Sequence, residues 1–181
     1  MTYEFQGRTQ ARTQEETGRR PRASRSAGQA SGGPRGGREE RQPIHAFAAT
    51  MGLMFLLAGI GGFIPGVTSN YDELKFAGHD SEAKLLGLFQ VSILHNIVHL
   101  LFAVGLIAAA RYTWSRLYLI GGGIAYLGVL LYGVLVEHES DANFLPINDA
   151  DNVLHLGLAL LMIALGLIGT KLWRDRVATR T

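Results

Sequence analysis

Four stretches without Lys, Arg, Asp or Glu dominate the chain: 44–64, 85–110, 117–136 and 153–170, of 21, 26, 20 and 18 residues. None shows the solvated face that a surface helix of a soluble protein keeps. A bilayer core takes roughly 20 apolar residues of helix, so each stretch predicts a transmembrane helix. The expected spans are about 44–64, 85–110, 117–136 and 153–173. Strands of a membrane barrel would be about 10 residues long with alternating polarity, which is not the pattern here. The expected fold class is therefore an all-α membrane protein with four transmembrane helices in a bundle.

The flanking segments predict an orientation. Segment 1–43 has nine Arg, the 111–116 link has Arg111 and Arg116, and the end of the chain has Lys171, Arg174, Arg176 and Arg180. The other two loops hold only Lys75 and Lys84, and carry acids instead: Asp72, Glu73, Asp80 and Glu82, then Glu137, Glu139, Asp141, Asp149 and Asp151. Positive residues stay cytoplasmic, so both termini are expected inside and both acidic loops outside, in the plasma membrane. Trp114, Tyr118 and Trp173 would then sit at the inner interface, where amphipathic rings anchor helices.

Composition divides the chain into a tail and a membrane domain. Residues 1–43 contain no Leu, Ile, Val or Trp, and cannot bury enough apolar surface to offset their ordering entropy. The expected organisation is a disordered Arg/Gly/Gln-rich cytoplasmic tail at 1–43, a membrane domain at 44–173 and a cytoplasmic C-terminal tail at 174–181. The nine Arg of the first tail are diluted by five Glu, so weak attraction to lipid headgroups is expected and specific nucleic-acid binding is not. The first apolar stretch is longer than a signal-peptide core of about 7–15 residues and ends at Pro65-Gly66, so it reads as a retained helix. The chain has no Cys, which excludes disulfides, thiolate metal sites and palmitoylation.

Two pairs of short strings suggest an internal repeat. His79-Asp80-Ser81-Glu82-Ala83 matches His138-Glu139-Ser140-Asp141-Ala142 at an offset of 59, and Asn96-Ile97-Val98-His99-Leu100 matches Asn152-Val153-Leu154-His155-Leu156 at an offset of 56. Both copies have the order helix, acidic loop, helix, so two tandem helical hairpins are expected, with an extra stretch at 65–78 in the first. Gly59-x-Gly61-Gly62, Gly121-Gly122-Gly123 with Ala125, and Gly105 with Ala109 provide thin helix faces for close packing.

The intramembrane polar residues are the candidates for chemistry. Ser92, His95, Asn96 and His99 are spaced i, i+3, i+4 and i+7, which places them on one helix face, and Asn152 and His155 belong to the fourth helix. Polar groups in hydrocarbon are costly and point into the bundle. The first expectation for this face is interhelical hydrogen bonding that fixes the hairpins together. The alternatives are a haem or divalent-metal site using His95, His99 and His155, or an outer-loop metal cluster of His79, Asp80, His138 and Glu139. Haem needs one ligand above and one below, whereas His95 and His99 lie four apart on one helix. No nucleophile or acid–base pair is evident, and no cofactor is expected on the first reading.

At these residues the chain resembles a known family. Gly62-Phe63-Ile64-Pro65-Gly66, Asn70-Tyr71-Asp72, Phe76-Ala77-Gly78-His79-Asp80 and the run from Leu85 through His95-Asn96-Ile97-Val98-His99 carry the resemblance. Gly121-Gly122-Gly123, His138 with Asn143-Phe144, and Asp151-Asn152-Val153-Leu154-His155-Leu156-Gly157 extend it to about 46–170. The family is the bacterial four-helix integral membrane proteins known as domain of unknown function 4383. The resemblance implies a membrane protein and carries over no catalytic residues. Three functional classes follow: a non-enzymatic bundle supporting or regulating a larger envelope complex, a haem- or metal-binding redox protein, or a small oligomeric transporter or channel. The expected partners are the lipid bilayer and another membrane protein or a second copy. Transport is disfavoured because no Asp, Glu, Lys or Arg lies inside the spans to couple an ion.

Overall fold

In the computed structural model, residues 42–179 are described. The expectation of a disordered tail at 1–43 falls almost wholly outside them. The described chain is mostly helical. Helix α1 spans Pro43–Gly61, α2 Ile93–Phe102, α3 Gly105–Ala108, α4 Tyr112–Leu135 and α5 Asp149–Ala178. Pro43 at the first turn of α1 suits a position whose N–H has no helical partner. Among the described residues, α1, α4 and α5 are long and apolar enough to cross a membrane, which marks a membrane protein.

The apolar stretch 85–110 is not one helix, which corrects the expected second span. Its first residues form an antiparallel hairpin of β2 (Lys84–Leu85) and β3 (Phe89–Gln90), with β1 (Thr68–Ser69) on the other edge of β2. Leu86 and Gly87 both take positive φ, 54° and 73°, and so close the two-strand turn. Helix α2 starts only where the Ser92 side chain accepts from the His95 N–H at 3.1 Å. Charge-free composition alone does not distinguish a hairpin from a helix, because both can bury apolar side chains.

The helix then breaks between Phe102 and Gly105. The freed carbonyl of Phe102 accepts from the Tyr118 hydroxyl at 2.9 Å, and the Ala108 carbonyl accepts from the Ser115 hydroxyl at 3.1 Å. Tyr118 is therefore a strut between α4 and the break. Trp173 stacks on Tyr112, with ring centroids 4.6 Å apart.

Close backbone approach sets the packing. A Cβ on Gly52 of α1 would lie 2.8 Å from the Gly105 carbonyl carbon, and one on Gly123 of α4 would lie 2.9 Å from the Ala159 carbonyl oxygen on α5. The core assembled around these approaches contains Ile44, Met51 and Phe55 of α1, Leu119 and Tyr126 of α4, and Leu158 and Met162 of α5. A smaller cluster of Ala83, Leu85 and Val91 seats the hairpin.

Candidate functional site

The polar face lies where α1, α2, α4 and α5 meet. Imidazoles and aromatic rings cluster there. His95 and His99 have centroids 4.6 Å apart, His95 and His155 6.1 Å, and Tyr126 and His155 5.4 Å. Phe55 lies 6.1 Å from His99 and 5.4 Å from Tyr126, which closes the cluster from α1. His95, His99 and His155 are 6%, 8% and 2% exposed. The structure thus gathers all three histidines singled out from the sequence.

Their hydrogen bonding is uneven. The Nδ1 atoms of His95, His99 and His155 find no hydrogen-bond partner among the described residues. Ser92 caps its own helix. Asn152 Nδ2 donates to the Gly133 carbonyl on α4 at 3.1 Å, a bond between α4 and α5. Asn96 is fully buried, and neither its Oδ1 nor its Nδ2 has a partner among the described residues.

The two asparagines have related seats. Asn96 packs against Gly62 at the end of α1, and Asn152 packs against Gly133 near the end of α4. The helices that carry them also begin alike. Ser92 caps α2 and Asn148 caps α5, at the 56-residue offset that relates the two asparagines. Asn152→Ala is expected to cost about 0.6 kcal/mol, and no more than about 1.7, the range for hydrogen bonds between membrane helices. Thermal unfolding of the detergent-purified protein measures it.

Asp151 falls among the acids of the second loop by sequence, yet it is 1% exposed. Its Oδ2 accepts from the Gln90 N–H and from the Asn148 N–H, both at 3.0 Å, while its own N–H donates to Asn148 Oδ1. The spacing Asn148-x-x-Asp151 was the available signal, since an acid three residues after a cap can bond back to it. One carboxylate therefore joins the start of α5 to the hairpin.

The outer-loop residues are not gathered into a ligand set. His79 Nε2 faces its neighbour Asp80 at 3.4 Å, and the His138 carbonyl is taken by the Asn143 side chain within its own turn. Among the described residues, no group of three or more His, Cys, Asp or Glu is arranged to hold a metal ion, either here or at the buried imidazoles. The loops do meet: Gly78 N–H donates to the Phe144 carbonyl at 2.8 Å, and the Asn148 side-chain Nδ2 donates to the Leu88 carbonyl at 3.0 Å.

Two cavities adjoin the imidazoles. The larger, about 400 Å³, runs between α1, the hairpin and α5, and its wall is nearly all apolar. The smaller, about 30 Å³, lies toward Tyr126 and Ile147.

These features define a class, an apolar helical membrane protein with a buried histidine cluster. The chain belongs to the family described as Domain of unknown function (DUF4383), whose model matches residues 45–168. No curated protein and no solved structure matches it.

Proposed function

We propose that this protein is a non-enzymatic, four-span bundle of the bacterial plasma membrane, with both termini cytoplasmic, which supports or regulates a larger envelope complex. The observation that carries the reading is an ordered loop layer with apolar side chains turned outward. Phe76 and Phe144 are 65% and 52% exposed, although the backbone beside them is hydrogen-bonded across the two loops, from Gly78 N–H to the Phe144 carbonyl. Large apolar groups held out on a fixed frame suit a protein partner.

The second crossing in this reading is made by α2 and α3 together with the hairpin. At about 1.5 Å per residue, Ile93–Ala108 covers roughly 24 Å of a hydrocarbon core about 30 Å thick. The hairpin supplies the remaining depth with its backbone paired, as non-helical chain in a membrane requires. The shared offset of the two caps and the two asparagine seats supports two tandem hairpins descended from one.

Two measurements test this. Cysteines placed at the exposed positions Glu82 and Asp141 should react with an impermeant maleimide in intact cells, whereas one at Thr113 should react only after lysis. Labelling of Thr113 from outside would overturn the orientation. A photo-crosslinking residue at Phe76 should yield a discrete adduct with a second membrane protein. Adducts with lipid alone would remove the support for a complex. A Soret band or stoichiometric metal in the purified protein would favour the redox alternative instead.

A further inference from the structure

Helices α4 and α5 lie side by side and run in opposite directions. Tyr112 of α4 stacks on Trp173 of α5, Ile120 packs on Gly166, and Gly123 packs on Ala159. That seam fixes where the other residues of the pair point, at about 3.6 residues per turn. To one side of it α4 carries Arg116, Ile124 and Leu131, and all three are exposed. On α5 the exposed residues Leu160, Leu167, Lys171 and Arg174 follow one another at spacings of seven, four and three, which is a single helix face. Both stripes turn away from the seam in the same sense along their own chains. For facing antiparallel helices, that places them on one side of the pair, where they border a shared groove. Helix α1 lies on the other side: Ile44 packs on Gly169, and Gln42 accepts from Arg176.

The groove changes character along its length. Arg116, Lys171 and Arg174 lie just beyond the charge-free runs that end at 170 and begin at 117, which is the depth of the headgroups. None of the three forms an ion pair with a described carboxylate. Among the described residues α4 has no acid, and α5 beyond Asp151 has only Asp175. From Lys171 inward the groove is bordered by apolar side chains as far as Leu160, eleven residues or about 16 Å away. That distance is about half of a hydrocarbon core about 30 Å thick, the depth of one leaflet.

These two halves select one kind of occupant. Three unpaired cations ask for an anion, and the guanidinium fork matches the oxygens of a phosphate. A free phosphate would leave the apolar length uncovered. A diacyl lipid with a neutral headgroup would leave the cations without a counter-charge. Each cation near the headgroups is worth a factor of about five in affinity for an anionic lipid.

We propose that the outer groove between α4 and α5 binds one anionic phospholipid, its phosphate held by Arg116, Lys171 and Arg174 and an acyl chain lying along Leu167 and Leu160. The site rests on the membrane reading above, but not on the orientation or on the envelope complex.

Native mass spectrometry of the full chain released from detergent tests it. Dimyristoyl phosphatidylglycerol is titrated against dimyristoyl phosphatidylcholine, which has the same chains and no net charge. The expected result is one saturable adduct per chain with phosphatidylglycerol, retained at least tenfold more tightly than phosphatidylcholine. Inorganic phosphate at equal concentration should not displace it. Arg116→Gln and Arg174→Gln should each weaken retention about fivefold. Arg111→Gln, which removes an exposed cation outside both stripes, should leave it within twofold. Equal retention of the two lipids, or no saturable adduct, overturns the proposal. Displacement by inorganic phosphate would reduce the site to an anion site and overturn it as a lipid site. Equal weakening by all three substitutions, or by none, would place the lipid elsewhere and overturn it too. The lipid comparison is made on the wild type, so it stands whether or not a variant folds. Failure here would leave the maleimide and crosslinking results untouched.

Discussion

Gly52→Val is expected to lower the stability of the protein by about 3 kcal/mol, the upper end of what overpacking usually costs. The reason is the identity of the obstacle. The first added carbon would meet the amide nitrogen of Leu106 and the carbonyl carbon of Gly105, both main-chain atoms, so no rotamer change can make room. Helix α1 and the α2–α3 break would have to separate, and the Tyr118 strut that fills the break would lose its support. Gly128→Ala is the matching control. Nothing lies within 4 Å of that position, so alanine there should raise stability by about 0.5–1 kcal/mol through the backbone entropy of the unfolded chain. Thermal unfolding of both proteins in the same detergent decides the matter. A Gly52→Val protein that melts with the wild type would mean that α1 does not approach the break this closely.

The second large effect is expected at Asp151. Asp151→Ala leaves the N–H groups of Gln90 and Asn148 without their acceptor and removes half of the capping box of α5. Each unsatisfied buried donor costs about 1–3 kcal/mol, and the combined loss should be about 2–4 kcal/mol. Asp149→Ala, two residues earlier and exposed, should cost only the helix-dipole contribution of about 0.3–1 kcal/mol. Amide exchange distinguishes the mechanism from general destabilisation. Gln90 and Asn148 should lose protection together in Asp151→Ala and keep it in Asp149→Ala. Equal losses in the two variants would show that the carboxylate does not join the hairpin to α5.

Much of the helical content was legible in the sequence because three of its stretches are both apolar and long. Charge-free runs at 44–64, 117–136 and 153–170 correspond to α1, α4 and α5, with α4 beginning five residues earlier and α5 extending further at both ends. Those ends are hidden because Arg116, Asp149 and Asp151 look like loop residues, whereas a helix tolerates polar residues near its start and gains from acids in its first turn. The 85–110 run was misread for a different reason. Leu85, Phe89 and Val91 are apolar enough for a helix, and only the positive φ at Leu86 and Gly87, invisible in composition, turns them into a hairpin. On α2 the spacing of His95, Asn96 and His99 forces one face, and the structure brings His95 and His99 beside His155 of α5. At the outer loops, similar strings around His79 and His138 say nothing about whether the two turns bring their side chains together, and among the described residues they form no ligand set. Phe55 and Tyr126 gave no signal at all, since one aromatic residue in an apolar helix looks like any other.

Helix α5 continues to Ala178, eight residues past the end of its apolar run, or about 12 Å. That extension is fastened at its base. Trp173 stacks on Tyr112 at the start of α4, and Arg176 donates to the Gln42 side chain at the start of α1, 3.2 Å away. The last turns of α5 are thus tied at two points, and a force applied to residues 174–178 would pass to the roots of α1 and α4 before any slack connection could absorb it.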